Sequence, residues 1–185
     1  MKYIINEYNI RDCRGKQRTK NHKNTCEHLH TLKEYAEKVD IVTEIGTGLG
    51  HTTIAFLMGK PKKMTTYDIN PGIEVNKIKQ AMKGITEFKS IKDNSLDIVM
   101  ENTDLLFIDS LHEYAHLMKE LKLHHSKVKK YMMFHDTETF GRSDQRNTGP
   151  GLLTAIEDFL KIHPEWVIHD HIEYQHGLTI LKKVE

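Results

Sequence analysis

Glu44-Ile-Gly-Thr-Gly-Leu-Gly50 is the stretch of sequence that decides the fold. It ends an apolar, β-branched run at residues 41–45 and precedes apolar residues at helical spacing, which predicts a turn from a buried strand into a helix. Glycine has no Cβ, so a ligand can approach the main chain here and meet the free amide groups at the start of the helix. The stretch therefore predicts a nucleoside-binding turn.

The spacing of the three glycines indicates which kind of ligand binds. A dinucleotide-binding turn has its third glycine where this chain has His51, so the pattern argues against a cofactor that carries a pyrophosphate. Asp68 lies 22 residues after Gly46, at the end of the next predicted strand, where a carboxylate can bind both hydroxyls of a ribose. An NAD(P)-dependent Rossmann oxidoreductase is kept as the alternative function.

Outward from this turn, short apolar runs alternate with amphipathic stretches, which is typical of βαβ units around a mainly parallel sheet. We predict an α/β fold, a single-domain, Rossmann-like, doubly wound sheet of seven mostly parallel strands with an antiparallel C-terminal hairpin. The strands are predicted at residues 41–45, 64–69, 87–91, 104–108 and 131–134, and the hairpin at 166–174 and 178–182. Helices are predicted after an N-cap at Asn24, from the turn to Gly59, from Pro71 to Gly84, at residues 113–129 and from Pro150.

Length and composition exclude several classes of protein. A chain of 185 residues is enough for one sizeable core, and a hydrophobic content of 38% is typical of a globular protein. Apolar runs stay shorter than a membrane span, and the first 24 residues lack the apolar stretch of a signal peptide. Two cysteines are too few for a disulfide framework, so we expect a cytoplasmic protein without a membrane partner.

Positive charge is concentrated at the start of the chain, although the net charge is only +1. Residues 1–26 carry seven Lys and Arg against Glu7 and Asp12, so residues 1–24 are predicted to be a basic N-terminal arm and residues 25–185 the folded domain. A basic arm can bind nucleic acid by releasing counterions, yet short polar arms are more often only solvated. Nucleic acid is therefore not the expected partner.

Acidic residues or histidine stand at or just after the ends of the predicted parallel strands. Strand ends of one direction share one edge of such a sheet, and this edge is the usual ligand-binding crevice. Clustered carboxylates repel one another, so their presence at one edge points to a bound group that compensates their charge. The residues are Glu44, Asp68, Asp93, Asp109, His135 and Asp136.

From residue 41 to residue 183 the chain resembles the class I S-adenosylmethionine-dependent methyltransferases. The resemblance implies S-adenosylmethionine as the cofactor, Asp68 on its ribose, and Asp93 with Asn94 beside its adenine. The cofactor-binding residues that it implies are Glu44, Gly46, Thr47, Gly48, Gly50, Asp68, Asp93, Asn94 and Asp109.

A narrower resemblance rests on residues 104–114, on Phe134-His-Asp-Thr137, on Gly149-Pro-Gly151 and on residues 177–181. These segments resemble the small-molecule O-methyltransferase group, which includes sugar and macrolide O-methyltransferases and cephalosporin-hydroxylase-like proteins. The resemblance implies a small-molecule acceptor and magnesium, with Asp109, His135 and Asp136 as metal ligands. The chain departs from the pattern at Ser110 and Leu111, where usual members have glycine and an acidic residue, and this departure leaves magnesium dependence open.

Methyl transfer is an in-line displacement at a sulfonium carbon, so the enzyme aligns the acceptor and removes its proton. His112 or His135 is predicted to be the base, because imidazole titrates near neutral pH, and Asp136 is predicted to be needed for turnover. A module that binds S-adenosylmethionine without catalysis is the further alternative. A homodimer is also left open.

Overall fold

The computed structural model describes residues 28–72 and 74–184. The predicted N-cap Asn24 and the basic arm lie outside the described residues. The strands are β1 (Ile41–Ile45), β2 (Lys63–Asp68), β3 (Glu87–Lys92), β4 (Thr103–Ile108), β5 (Val128–His135), β6 (Trp166–Ile172) and β7 (Leu178–Lys183). The helices are α1 (Leu29–Ala36), α2 (His51–Met58), α3 (Val75–Met82), α4 (Tyr114–His124) and α5 (Leu152–Ile162), and a 3-10 turn at His125–Lys127 joins α4 to β5.

All seven strands form one sheet in the order β3-β2-β1-β4-β5-β7-β6. Strands β1 to β5 pair in parallel, whereas β7 runs antiparallel to β5 and β6. The predicted fold class is confirmed, including the antiparallel C-terminal hairpin. The central strands β1 and β4 are almost wholly buried, so helices must cover both faces of the sheet.

Side chains that alternate along the strands build two cores, one on each face of the sheet. One core joins α1, α2 and α3 to the sheet, and its edge-to-face pair of Phe56 and Phe107 has ring centroids 5.4 Å apart. The other joins α4 and α5 to the opposite face through Leu117, Ile156 and Phe159. Each core holds helices from a different part of the chain, which is what a doubly wound sheet requires.

The register of the parallel strands places their carboxyl ends side by side. Ile45 of β1 pairs with both Tyr67 of β2 and Ile108 of β4, and Ile108 pairs in turn with Phe134 of β5. The residues that follow these partners therefore meet at one edge of the sheet, as the sequence predicts.

Three predicted helix boundaries are wrong. The helix predicted from Pro71 begins at Val75, and the helix predicted from Pro150 begins at Leu152, because Pro150 forms an isolated bridge with Ser143. The helix predicted over residues 113–129 ends at His124, whose Nε2 contacts the main-chain oxygen of Ser95 at 2.7 Å. Contacts with distant residues fix these helix ends, and the local spacing of apolar residues carries no information about such contacts.

Within residues 28–72 and 74–184, no helix is both long enough and apolar enough to cross a membrane.

Candidate active site

The glycine turn follows β1 directly and is shaped by its own backbone. Gly46, Gly48 and Gly50 all have positive φ, at 89°, 48° and 83°, which favours glycine over any residue with a Cβ. A Cβ on Gly46 would lie 1.9 Å from the main-chain oxygen of Asp109, so the turn packs directly against the end of β4. A Cβ on Gly48 would meet nothing within 4 Å in the described part of the chain, so this side of the turn is open to a ligand.

Asp68 lies at the end of β2 and closes the turn from the other side. Its Oδ2 accepts hydrogen bonds from the amides of Thr47 and Gly48 at 2.8 and 2.9 Å, and its Oδ1 accepts one from the amide of Asn70 at 2.6 Å. A carboxylate has about four lone-pair positions, so three main-chain donors leave room for one more donor. The structure therefore brings Asp68 to the predicted place and shows that it also organises the turn.

Glu44 lies beneath the turn, with none of its surface exposed. Its two carboxyl oxygens accept hydrogen bonds from the hydroxyls of Thr52 and Thr53, both at 2.5 Å, in the first turn of α2. Burial raises the pKa of Glu44 to about 7, although the threonine hydrogen bonds act in the opposite direction. Its predicted contact with the cofactor stays a prediction. In the structure, its hydrogen bonds connect the end of β1 to the start of α2.

Two further threonines hold the turn in place. Thr47, predicted to bind the cofactor, is buried, and its hydroxyl is hydrogen-bonded to that of Thr66 on β2. Sequence reasoning missed Thr52, Thr53 and Thr66. A run of threonines beside a buried carboxylate is the signal that could have found them.

Asp93 and Asn94 follow β3 and are exposed. The amide of Asp93 donates to the main-chain oxygen of Asp68 at 3.1 Å, so the end of β3 lies beside the end of β2. Asn94 uses its side-chain oxygen to accept from the amide of Leu96 at 3.1 Å. These residues border the turn on the side away from β4, and their predicted contact with adenine stays a prediction.

Two carboxylates and two imidazoles form a compact cluster beyond the ends of β4 and β5. His112 Nε2 lies 3.3 Å from Asp109 Oδ1 and 3.0 Å from Asp136 Oδ2. His135 Nδ1 lies 3.5 Å from Asp109 Oδ2 and 3.4 Å from Asp136 Oδ1. Asp136 has a φ of 60°, in the left-handed region that aspartate adopts more readily than most non-glycine residues.

Charge within this cluster shifts the pKa of each member. Burial disfavours the charged imidazoles, but the neighbouring carboxylates of Asp109 and Asp136 outweigh it and raise the pKa of both His112 and His135 to about 9. Burial likewise opposes ionisation of Asp109 and Asp136, yet the two histidines hold the pKa of each carboxyl below its usual range. The pKa of both imidazoles thus lies above neutral pH in this arrangement, and the predicted role of His112 or His135 as the base stays a prediction.

The ligand atoms that could hold a metal belong to a set different from the predicted one. One atom each of Asp109, His112 and Asp136 lie within 4.8 Å of one another, in a group that is half-buried. His135 is 5% exposed, and among the described residues neither of its ring nitrogens has a hydrogen-bond partner. The structure thus favours His112 over His135 as the nitrogen donor, and the predicted metal role of His135 stays a prediction.

Sequence reasoning missed a buried carboxylate that is hydrogen-bonded to Ser110, the residue next to Asp109. Glu120 on α4 is fully buried, and its Oε1 and Oε2 accept from the hydroxyl of Ser110 at 2.7 and 2.9 Å. Its Oε1 also lies 3.1 Å from His116 Nε2. Ser110, which departs from the pattern of the resembled group, therefore anchors the segment that carries Asp109 and His112.

The loop after β5 forms a wall beside the cluster. The Phe140 ring stacks on His112 with centroids 4.7 Å apart and planes 10° apart, and the Gln145 amide donates to the His112 main-chain oxygen at 3.1 Å. Asp144 holds the loop together, because its carboxylate accepts from the amides of Arg146 and Thr148, both at 2.9 Å. Residues 138–149 are thus an ordered wall rather than an unstructured connection.

A family model described as rhamnosyl O-methyltransferase/CmcI matches residues 35–184, well over half of the chain. A ribosomal protein L11 methyltransferase from Bacillus licheniformis is 29% identical over 97 residues, which cover 51% of this chain but only 31% of that protein. The chain thus spans about a third of the length of this curated relative.

Solved structures share the fold over nearly the whole chain. A Staphylococcus aureus protein described as a caffeoyl-CoA O-methyltransferase superposes with a TM-score of 0.64 at 16% identity, over 98% of this chain and 91% of that one. The N-methyltransferase NodS from Bradyrhizobium japonicum WM9, in complex with S-adenosylhomocysteine, gives a TM-score of 0.64 at 14% identity, over 96% and 98%. Likeness at such low identity establishes the fold.

Proposed function

We propose that this chain, which belongs to the rhamnosyl O-methyltransferase/CmcI family, transfers a methyl group from S-adenosylmethionine to a hydroxyl group of a small molecule. Membership of this family favours methyl transfer over a nicotinamide-dependent oxidoreductase. A module that binds S-adenosylmethionine without catalysis stays the alternative that the product analysis below tests. A cytoplasmic location and a homodimer stay predictions.

One observation carries the proposal: Asp109 belongs to both halves of the site. Its main-chain oxygen is packed against Gly46, and its side chain contacts His112. A cofactor held by the turn therefore has the carboxylate–imidazole cluster as its immediate neighbour. Transfer of a methyl group requires this adjacency of donor and acceptor.

The turn has the features that an adenosyl cofactor needs. Its backbone is bent by positive-φ glycines, it is open at Gly48, and it is flanked by the carboxylate of Asp68. We propose that Gly46, Gly48 and Gly50 allow close approach to the main chain and that Asp68 accepts a hydrogen bond from the ribose. S-adenosylmethionine would supply the electrophilic methyl group, and displacement breaks its C–S bond as the new C–O bond forms.

The cluster fits a divalent cation. Asp109 and Asp136 offer hard oxygen donors, and His112 lies between them within reach of both. A nitrogen donor suits Mn²⁺ or Zn²⁺ better than Mg²⁺, so the two carboxylates are the expected ligands for Mg²⁺ and all three residues for the softer ions. A cation held there would lower the pKa of an acceptor hydroxyl.

Protein side chains around the cluster position the acceptor. Phe140 and His112 present a stacked pair of rings, and the loop that carries Phe140 is hydrogen-bonded to the main chain of His112. Because the two carboxylates raise the pKa of both imidazoles to about 9, the neutral form that could accept a proton is disfavoured near neutral pH. The proton of the acceptor is therefore expected to leave only after a cation or a bound acceptor has changed this network.

The test is product analysis with a panel of sugars, macrolides and phenols, run in parallel with the matching amines. We expect S-adenosylhomocysteine and an O-methylated product in equal amounts, and a loss of about 100-fold in rate for Asp136→Asn. Asp158→Asn is the matched control, because Asp158 pairs with Lys161 on the surface and accepts from the Tyr114 hydroxyl at 2.9 Å, a hydrogen bond that the asparagine oxygen can also accept; the rate should stay within about twofold. Methylation of amines alone, or an unchanged rate in Asp136→Asn, would contradict the proposal.

A further inference from the structure

A second group of metal-binding side chains lies at the opposite edge of the sheet from the proposed active site. His125 stands in the 3-10 turn before β5, His163 follows α5, and Glu165 precedes β6. One ligand atom from each lies within 4.8 Å of the others, and all three residues are half-buried. Two connections that are distant in the chain therefore bring two imidazoles and a carboxylate together.

The ring of His125 is held by a contact with the main chain of the preceding helix, α4. Its Nδ1 lies 2.8 Å from the main-chain oxygen of Leu121, and a carbonyl oxygen can only accept, so Nδ1 carries the proton. The neutral ring then has its lone pair on Nε2. A hydrogen bond from the far nitrogen to a backbone oxygen is the usual way in which proteins orient a metal-binding histidine.

The other two ligand atoms have a spacing that suits a common metal. His163 Nδ1 and Glu165 Oε1 lie 3.1 Å apart. Two ligand atoms about 2.1 Å from a tetrahedral Zn²⁺ lie roughly 3.4 Å apart, so a small adjustment would admit the ion. Without a metal, the same distance makes a hydrogen-bonded pair.

A buried aromatic ring holds both imidazoles. Phe159 is 2% exposed and stacks on His163 with centroids 4.3 Å apart and planes 24° apart. It also meets His125 edge-on at 5.4 Å, and the two imidazoles are 4.2 Å apart. Because core packing restricts the rings before any ion arrives, the cost of ordering the ligands is already met on folding.

We propose that His125, His163 and Glu165 bind a divalent transition metal of the zinc class. Two imidazole nitrogens and one carboxylate oxygen are donors that such metals prefer, and three protein ligands leave a fourth position for water. A bound ion would tie the turn before β5 to the α5–β6 connection. The site is separate from the cluster at Asp109, which lies beyond the other end of β5.

The test measures Zn²⁺ binding to the full chain after chelator treatment, in an Asp109→Asn, Asp136→Asn background that removes the two carboxylate ligands of the other cluster. We expect one Zn²⁺ per chain. His163→Ala and Glu165→Gln should each weaken it by at least about 100-fold, because changes outside the ligand shell already cost 10- to 100-fold. Co²⁺ should give the visible absorption of a four-coordinate ion in the background protein and lose it in both variants.

His30→Ala is the matched control. His30 and Glu34 also form a His–Glu pair at 3.1 Å, on the exposed face of α1. Removal of the His30 imidazole should therefore change the affinity for Zn²⁺ by no more than about twofold. Should His163→Ala fail to fold, Glu165→Gln and a shift of the His125 ring signal in ¹⁵N NMR on adding Zn²⁺ carry the test. The proposal would be overturned if the background protein did not bind Zn²⁺, or if His163→Ala and Glu165→Gln bound it as tightly as the background protein does.

Discussion

The turn after β1 and the cluster beyond β4 and β5 lie side by side, but they are built in different ways. The turn is made of main chain: its shape comes from positive-φ glycines, and Asp68 is bonded to three amides. The cluster is made of side chains, and its four members are held by mutual charge at 3.0 to 3.5 Å. The turn is therefore complete once the sheet has folded, whereas the cluster depends on its state of protonation and on what binds to it.

This difference predicts how each half fails. Damage to the turn should cost both folding and cofactor binding, since the atoms that shape the turn are also those proposed to bind the cofactor. Damage to the cluster should cost turnover and leave the fold nearly intact.

The largest effect is expected for Gly46→Ala. A Cβ there would lie 1.9 Å from the Asp109 main-chain oxygen, at a φ of 89°, so we expect a loss of about 3 kcal/mol or more in the free energy of unfolding. Gly84→Ala is the control, because Gly84 has a φ of 76° but nothing within 4 Å of its Cβ position in the described chain. It should lose only about 1 kcal/mol. Equal losses in urea unfolding would show that the contact with Asp109 carries no weight.

Asp68→Ala should come next. We expect a 10- to 100-fold loss of affinity for S-adenosylhomocysteine, about the worth of one or two hydrogen bonds to a charged group. Because Asp68 also binds the amides of Thr47 and Gly48, affinity alone cannot identify a ribose contact. Calorimetry with the 2′,3′-dideoxy analogue separates the two roles. The wild type should prefer the natural nucleoside and the variant should not; a preference that survives in the variant would rule out the ribose contact.

Glu44 gives a pH-dependent effect of intermediate size. Its pKa is about 7 in the folded protein and near the ordinary 4.5 when unfolded, so its contribution to stability is present below about pH 4.5 and is lost as the pH rises towards 7. Glu44→Gln lacks this titration. The difference in unfolding free energy between the two proteins should therefore shift by on the order of 2 kcal/mol in favour of the variant from about pH 5 to about pH 8. A difference that does not change with pH would mean that Glu44 is charged throughout.

The smallest effect is expected at the rim of the wall. Arg142 pairs with Glu157 at 2.8 Å, but both side chains are largely exposed. Arg142→Ala should change the free energy of unfolding by less than about 0.5 kcal/mol and leave S-adenosylhomocysteine affinity unchanged in the same assays. A clear loss of S-adenosylhomocysteine affinity would mean that this arginine belongs to the site as well.

The two halves also differ in how far sequence reasoning reaches. The turn and Asp68 could be predicted because glycine spacing and strand periodicity are local patterns, and parallel pairing then aligns the strand ends. The position of His112 could not, since it depends on a loop whose Gln145 amide binds the His112 main-chain oxygen. The protonation of His112 was equally out of reach, because it reflects two carboxylates that are 27 residues apart in the chain.

The backbone of Asp136 carries a consequence for protein engineering. Glycine would relieve its left-handed conformation by roughly 1 kcal/mol, so a thermostability screen that ignores activity would enrich glycine at this position. Such a screen would yield hardier chains that lack one of the two carboxylates proposed to serve the reaction. Selection for heat resistance and selection for catalysis thus pull this one codon in opposite directions.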